Sequence, residues 1–200
     1  MNRREIFTLM AGVAAAGLLP KAVRAEAVMG DGGLYQQSFF HDSFLDLGDD
    51  LNEAAAEGKG LIVLFEQRGC PYCREMHLVN FQRRELIELI NASFIVVQLD
   101  LWGARAVVDF DGEALEERAL AQKWFVNFTP TQILIPPQNA GADDLRQAEA
   151  FRMPGYFKPF HHLSGLEYVA SGAYRDQPFQ RFLQDKFAAL QAQGIDPDVW

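Results

Sequence analysis

The chain has two cysteines, Cys70 and Cys73, and they stand within Gly69-Cys70-Pro71-Tyr72-Cys73. Thiols at that spacing can exchange electrons with a disulfide, or they can share a soft metal ion. Their setting favours electron exchange. The apolar run Leu61-Ile62-Val63-Leu64-Phe65 reads as a buried strand and ends just before them. Helical periodicity follows, with Met76, Val79, Leu86, Leu89 and Ile90 as its apolar positions. A cysteine pair at such a helix start lies near unpaired amide N–H groups and the positive end of the helix dipole. That position favours the thiolate, which is the nucleophile of disulfide exchange. Pro71 suits the first helical turn, where its missing N–H costs little. The competing metal reading uses Cys70, Cys73 and His77, one turn further on. Structural zinc takes four ligands, however, and the chain has no second cysteine pair. A redox dithiol is the expectation, with no metal site and no cofactor beyond the Cys70–Cys73 pair.

A chain of 200 residues, 49% hydrophobic and 22% charged, fits one globular domain with a sizeable core. A formal charge of −9 without a basic patch argues against a nucleic-acid partner. The first 25 residues have a different character. Asn2-Arg3-Arg4-Glu5-Ile6-Phe7, an apolar stretch from Leu9 to Leu19, and Ala22-Val23-Arg24-Ala25 read as an export signal. The paired arginines resemble a twin-arginine signal, and a general secretory signal is the alternative. Either route places the protein outside the cytoplasm, with a bacterial periplasm the expected location. There a structural disulfide across two residues would close a tiny loop and stabilise little.

The elements that must position the cysteines follow from periodicity and turn residues. Residues 26–40, with Gly30, Gly32 and Gly33, read as a loose arm. Phe44 to Glu57 reads as a helix stopped by Gly58 and Gly60. Ser93 to Leu99 is a second buried strand, and Ala106 to Phe110 a short strand before an Asp111-Gly112 turn. Glu113 to Phe125 reads as helical, Gln132 to Ile135 as a third core strand, and Gln147 to Met153 as an edge strand. Tyr156 to Ala170 and Asp176 to Gln193 read as helices, the latter with Asp176 as N-cap.

This order of strands and helices points to a central sheet covered on both faces. With the Cys-Pro-Tyr-Cys turn and Thr129-Pro130-Thr131, it resembles the thioredoxin fold. The domain reading is an export signal at 1–25, an arm at 26–43, a thioredoxin-like domain at 44–195 and a tail at 196–200. Residues 102–125 and 154–172 are read as additions to the minimal form. The resemblance implies that Cys70 is the exposed nucleophile and Cys73 the buried resolving thiol. It also implies that Pro130 is cis and that the backbone of Thr129 binds the substrate chain; a trans proline opening a strand is the alternative. Pro71 and Tyr72 would shape the surface met by a partner, and Tyr72 would help set the thiol pKa.

Thioredoxins carry a buried acid six residues before the first cysteine, where this chain has Leu64. Glu66 shares its face by alternation and is the candidate proton acceptor for Cys73. A solvated carboxylate, or a partner of Arg68, is the competing reading. Cys-Pro-Tyr-Cys is typical of glutaredoxins, but no glycine pair follows Pro130 to grip glutathione.

A more specific resemblance is to the SoxW family of periplasmic thioredoxin-like proteins from bacterial sulfur-oxidation systems. It rests on Gly69 to His77, Asp109-Phe110-Asp111-Gly112, Phe128 to Thr131, Met153-Pro154-Gly155-Tyr156 and Leu166-Glu167-Tyr168-Val169. It implies a dithiol reductase fed by a membrane electron-donor protein and acting on disulfides of periplasmic proteins of thiosulfate oxidation; a monomer is the separate expectation for its assembly. An oxidase or isomerase, or a binding module whose cysteines are ligands, are the rival functions. His161 and His162 read as helix-packing or surface residues, and Trp102, Trp124 and Trp200 as packing or terminal ones.

Overall fold

The computed structural model describes residues 27–197. The expected export signal at 1–25 and Trp200 lie outside that range.

The chain runs through β1 (Val28–Met29), β2 (Tyr35–Gln36), α1 (Leu47–Ala56), β3 (Gly60–Glu66), α2 (Pro71–Leu78) and α3 (Arg84–Ser93). It continues through β4 (Phe94–Asp100), β5 (Ala106–Val108), β6 (Ala114–Glu116), α4 (Glu117–Lys123) and β7 (Thr131–Ile135). It closes with α5 (Leu145–Ala148), β8 (Phe151–Pro154), α6 (Pro159–Ala170) and α7 (Phe179–Ala192). Four strands form the main sheet in the order β4-β3-β7-β8. β3 pairs in parallel with β4 and antiparallel with β7, and β7 pairs antiparallel with the edge strand β8.

Every residue of β3 is buried, as expected for a central strand covered on both faces. Its alternation divides the core. Leu61, Val63 and Phe65 pack with Leu47 and Leu51 of α1 and Leu120 of α4. Ile62 and Leu64 pack on the opposite face with Met76 of α2, Leu86 and Ile90 of α3, and Leu166 of α6. The stretches 102–125 and 154–172 therefore supply helices to both faces of the sheet.

Several local expectations are corrected. The single helix read after Cys70 is two: α2 ends at Leu78, and a 3-10 turn at Asn80–Gln82 precedes α3. The Asn80 side chain is buried and hydrogen-bonded to the Phe157 carbonyl and to His162, partners that no local pattern reveals. The helix read from Glu113 starts at Glu117, because Ala114–Glu116 pairs back onto Ala106–Val108 across the turn at Gly112. The Asp144 side chain accepts from the Gln147 N–H and starts the turn of α5, so the edge strand begins at Phe151. Asp176 is not the N-cap of α7; Pro178 keeps Gln177 out of helical geometry and the helix starts at Phe179. The arm is not loose. It forms the β1–β2 hairpin, and Phe40 then bridges to Val96 of β4.

Candidate active site

β3 hands the chain to α2 through Gln67, Arg68 and Gly69. Gly69 has φ +71°, a conformation that side chains disfavour, and it delivers Cys70 to the N-cap of α2. Pro71 occupies the first helical position. The Cys73 N–H donates to Cys70 Sγ at 3.0 Å, and the two cysteines are joined as a disulfide. Cys70 is 7% exposed and Cys73 3%, so the expected ranking holds while the openly exposed Cys70 does not. Thr129 closes over it: its hydroxyl donates to Cys70 Sγ at 3.4 Å, and its carbonyl oxygen lies 3.6 Å from the same sulfur. The Thr129–Pro130 bond is cis.

The surface around the disulfide is aromatic. Tyr72 is exposed and stacks on Tyr156, with ring centroids 6.2 Å apart. Phe128, next to Thr129, is also exposed. Trp102 is 65% exposed and donates its indole N–H to Gln67 Oε1, so it is a surface residue rather than the packing residue expected. Trp124 does pack, stacked on Phe110.

Glu66 is 1% exposed, which excludes the solvated carboxylate, and its partners do not include Arg68. His77, fully buried on α2, has Nε2 at 3.1 and 3.0 Å from the two Glu66 carboxylate oxygens. Gln98 Nε2 on β4 donates to Glu66 Oε2 and to the Tyr35 carbonyl oxygen. Gln37 Nε2 donates to His77 Nδ1 at 3.0 Å, which makes Nε2 the protonated ring nitrogen and the donor to Glu66. Both ring nitrogens are thus engaged, and His77 is not offered to the sulfurs as a metal ligand. A cavity of about 250 Å³ touches Glu66, Cys70 and Cys73 on one side and Met29, Leu34 and Tyr35 of the hairpin on the other. The carboxylate and the resolving thiol share this space.

Sequence reasoning found Glu66 but not Gln37, Gln98 or the role of His77. The one available signal was that His77 lies one turn beyond Cys73 on the inward side of the helix, near Met76. A second buried histidine, His162, sits in a separate network. Asn80 Nδ2 donates to its Nδ1 at 2.7 Å, and its Nε2–H donates to Gln132 Oε1 at 3.1 Å. Burial pushes the His162 pKa down to about 3. His161 is only partly buried, and burial lowers its pKa.

Among curated proteins, no sequence match was found. Among solved structures, a thioredoxin-fold protein from Helicobacter pylori is 23% identical, with a TM-score of 0.51 over 66% of this chain and 81% of its own. A thioredoxin from Thermus thermophilus is 26% identical over 62% of this chain and 83% of its own, with a TM-score of 0.48. The oxidised C-terminal domain of DsbD from Neisseria meningitidis is 15% identical over 66% of this chain and 99% of its own, with a TM-score of 0.45. The model of the thioredoxin-like domain family matches residues 47–170, from the start of α1 to the end of α6, and takes in Glu66, both cysteines, His77, Gln98 and Thr129–Pro130 but not Tyr35 or Gln37. The chain belongs to the thioredoxin-like domain family.

Proposed function

We propose that this protein is a thiol–disulfide oxidoreductase that reduces disulfides of partner proteins outside the cytoplasm. The observation that carries the reading is the Cys70–Cys73 disulfide at the start of α2, facing Thr129 within an aromatic rim. In the reduced form, the Cys70 thiolate attacks a partner disulfide and expels one partner sulfur as a thiolate. Cys73 loses its proton to Glu66 and attacks Cys70 Sγ, which releases the second partner thiol and restores the disulfide. Tyr72, Phe128 and Trp102 offer the apolar contact area for a protein partner.

The SoxW-like motifs support a finer assignment: a periplasmic protein that receives electrons from a membrane donor protein and serves thiosulfate-oxidation partners. The opposite direction, an oxidase, draws on one observation. Cys70 Sγ accepts the Cys73 N–H at the helix N-terminus, a contact that stabilises a thiolate and hence the reduced form.

Insulin reduction with a small dithiol as electron source tests the activity; we expect turnover by the wild type and none by Cys70→Ser. Equal activity in both proteins would contradict the reading. Acid quenching and thiol alkylation in the source cells test the direction, with a mostly reduced pair expected for a reductase and a mostly oxidised pair for an oxidase.

A further inference from the structure

Among the described residues, two that are not glycine adopt positive φ, and they differ in what the strain serves. Leu45, at φ +65°, is buried and packs in the same core as Leu47 and Val107. Phe125, at φ +55°, is 82% exposed and packs into neither face of the core. Its backbone is fixed by the end of α4. The Phe125 N–H donates to the Gln122 carbonyl and the Val126 N–H to the Ala121 carbonyl, a helix-ending turn whose left-handed position favours glycine. Asn127 Nδ2 donates to the Phe125 carbonyl, and Arg152 Nη1 to the Trp124 carbonyl. A phenylalanine in that position costs stability and gains no core packing in return. Such an outlier points to a use outside the fold.

Phe125 lines a cavity of about 650 Å³ together with Trp124, Leu145 and Ala150. The cations at its rim are already matched. Lys123 pairs with Asp109 and Asp111 at 2.7 and 2.6 Å, Arg152 with Glu149 at 2.6 Å, and Arg146 with Asp144 at 3.6 Å. None is left over to hold an anion, so the open part of the cavity suits an apolar side chain. The cavity is also continuous with the dithiol site. Phe125 and Thr129 are four positions apart, a separation the chain spans in at most about 14 Å. Thr129 in turn touches Cys70 Sγ, and Phe128 is exposed between the two.

We propose that this cavity is a second binding site for the disulfide-bearing partner protein. An extended segment of the partner, a few residues from its reacting cysteine, lies along residues 125–129 and lodges an apolar side chain against Phe125. The proposal rests on the oxidoreductase reading and adds to it a determinant of specificity beyond the surface at the cysteines. The occupant is a polypeptide, because a small disulfide held at Cys70 does not extend to the cavity. The ion pairs around Phe125 hold water off the contact, the arrangement in which one aromatic residue carries much of a binding energy.

The test uses the full-length protein as wild type, Phe125→Gly and Phe125→Tyr. Each is reduced, freed of reductant and mixed with insulin or with hydroxyethyl disulfide, and the rate constant of thiol loss is read. Phe125→Gly should lose about tenfold with insulin and keep its rate with the small disulfide. It should also melt at a higher temperature than the wild type, because glycine accepts the strained φ. Phe125→Tyr should retain the insulin rate. Equal insulin rates in all three proteins would overturn the proposal, and so would a Phe125→Gly protein slowed equally on both disulfides. Either result leaves the oxidoreductase reading standing, whereas a wild type inert to both disulfides would sink that reading. A wild type that reacts with the small disulfide alone would count against a polypeptide occupant. Hydrogen exchange on the insulin adduct of Cys73→Ser gives a second readout, with protection expected at residues 122–128 and 145–150 as well as at the cysteine turn. Protection confined to the cysteine turn would contradict the site. Protection present without insulin and lost on dilution would assign the cavity to a second copy of the chain and overturn the proposal.

Discussion

Two histidines lie fully buried on the same face of the sheet, and their surroundings differ in one respect. His162 is held by two neutral amides, Asn80 and Gln132, while His77 faces a carboxylate. The His162 network runs in one consistent direction: Tyr156 O–H to Asn80, Asn80 to Nδ1, Nε2–H to Gln132, and Gln132 Nε2 to Met76 Sδ. Every member is satisfied. A second proton on that ring would meet only another N–H donor, and burial keeps it off. This network ties Tyr156, the stacking partner of Tyr72, to the strand that follows Pro130. The His77 network has an anion, and it opens onto the disulfide cavity. Equal burial thus serves a structural pin in one place and acid–base chemistry in the other; the partner's charge decides which.

The strongest expected effect breaks the pin. His162→Leu leaves Gln132 Oε1 and one Asn80 N–H without partners, at a cost of about 2–4 kcal/mol. Urea unfolding should show that loss, while the pH profile of the redox equilibrium stays unchanged. A changed profile would erase the distinction between the two networks. Glu66→Gln should do the reverse: it slows insulin reduction about 100-fold, the low end for a lost proton acceptor. An unaffected rate would remove Glu66 from the mechanism.

A subtler effect concerns acid. The native His162 pKa of about 3 lies below the unfolded value, so between pH 6.5 and about 3 the unfolded chain binds a proton that the native state refuses. The His162 contribution therefore weakens by about 1.4 kcal/mol per pH unit as the pH falls through that window. His162→Gln should show a shallower loss of stability over the same range, and parallel curves would contradict the assignment. The smallest effect expected is that of Tyr156→Phe, about 1 kcal/mol from the lost Asn80 contact, with the ring still stacked on Tyr72.

The sequence revealed the parts of this site that local chemistry dictates. Leu61 to Phe65 announced the central strand because all its residues are apolar. The Cys-Pro-Tyr-Cys turn announced its helix start, and alternation placed Glu66 on the correct face. What it could not show depends on residues far apart in the chain. Gln37 meets His77 across 40 positions, and Gln98 meets Glu66 across 32. The glycines of the arm suggested looseness, yet Gly33, at φ +77°, serves a turn that folds the hairpin over the cavity. The helical apolar positions jump from Val79 to Leu86, with Gln82 and Arg83 between them, and that gap, read as part of one helix, is where α2 gives way to α3. There the buried Asn80 amide, bonded to Phe157 and His162, accompanies the break.

The most direct test of the central claim is trapping with the two single-cysteine variants. Each is mixed with a disulfide-bonded protein under identical conditions, and covalent adducts are counted by mass spectrometry. The account predicts a stable mixed disulfide through Cys70 in Cys73→Ser, because the resolving thiol is gone, and little or none in Cys70→Ser. Adducts confined to Cys70→Ser, or absent from both, would contradict the roles assigned to the pair.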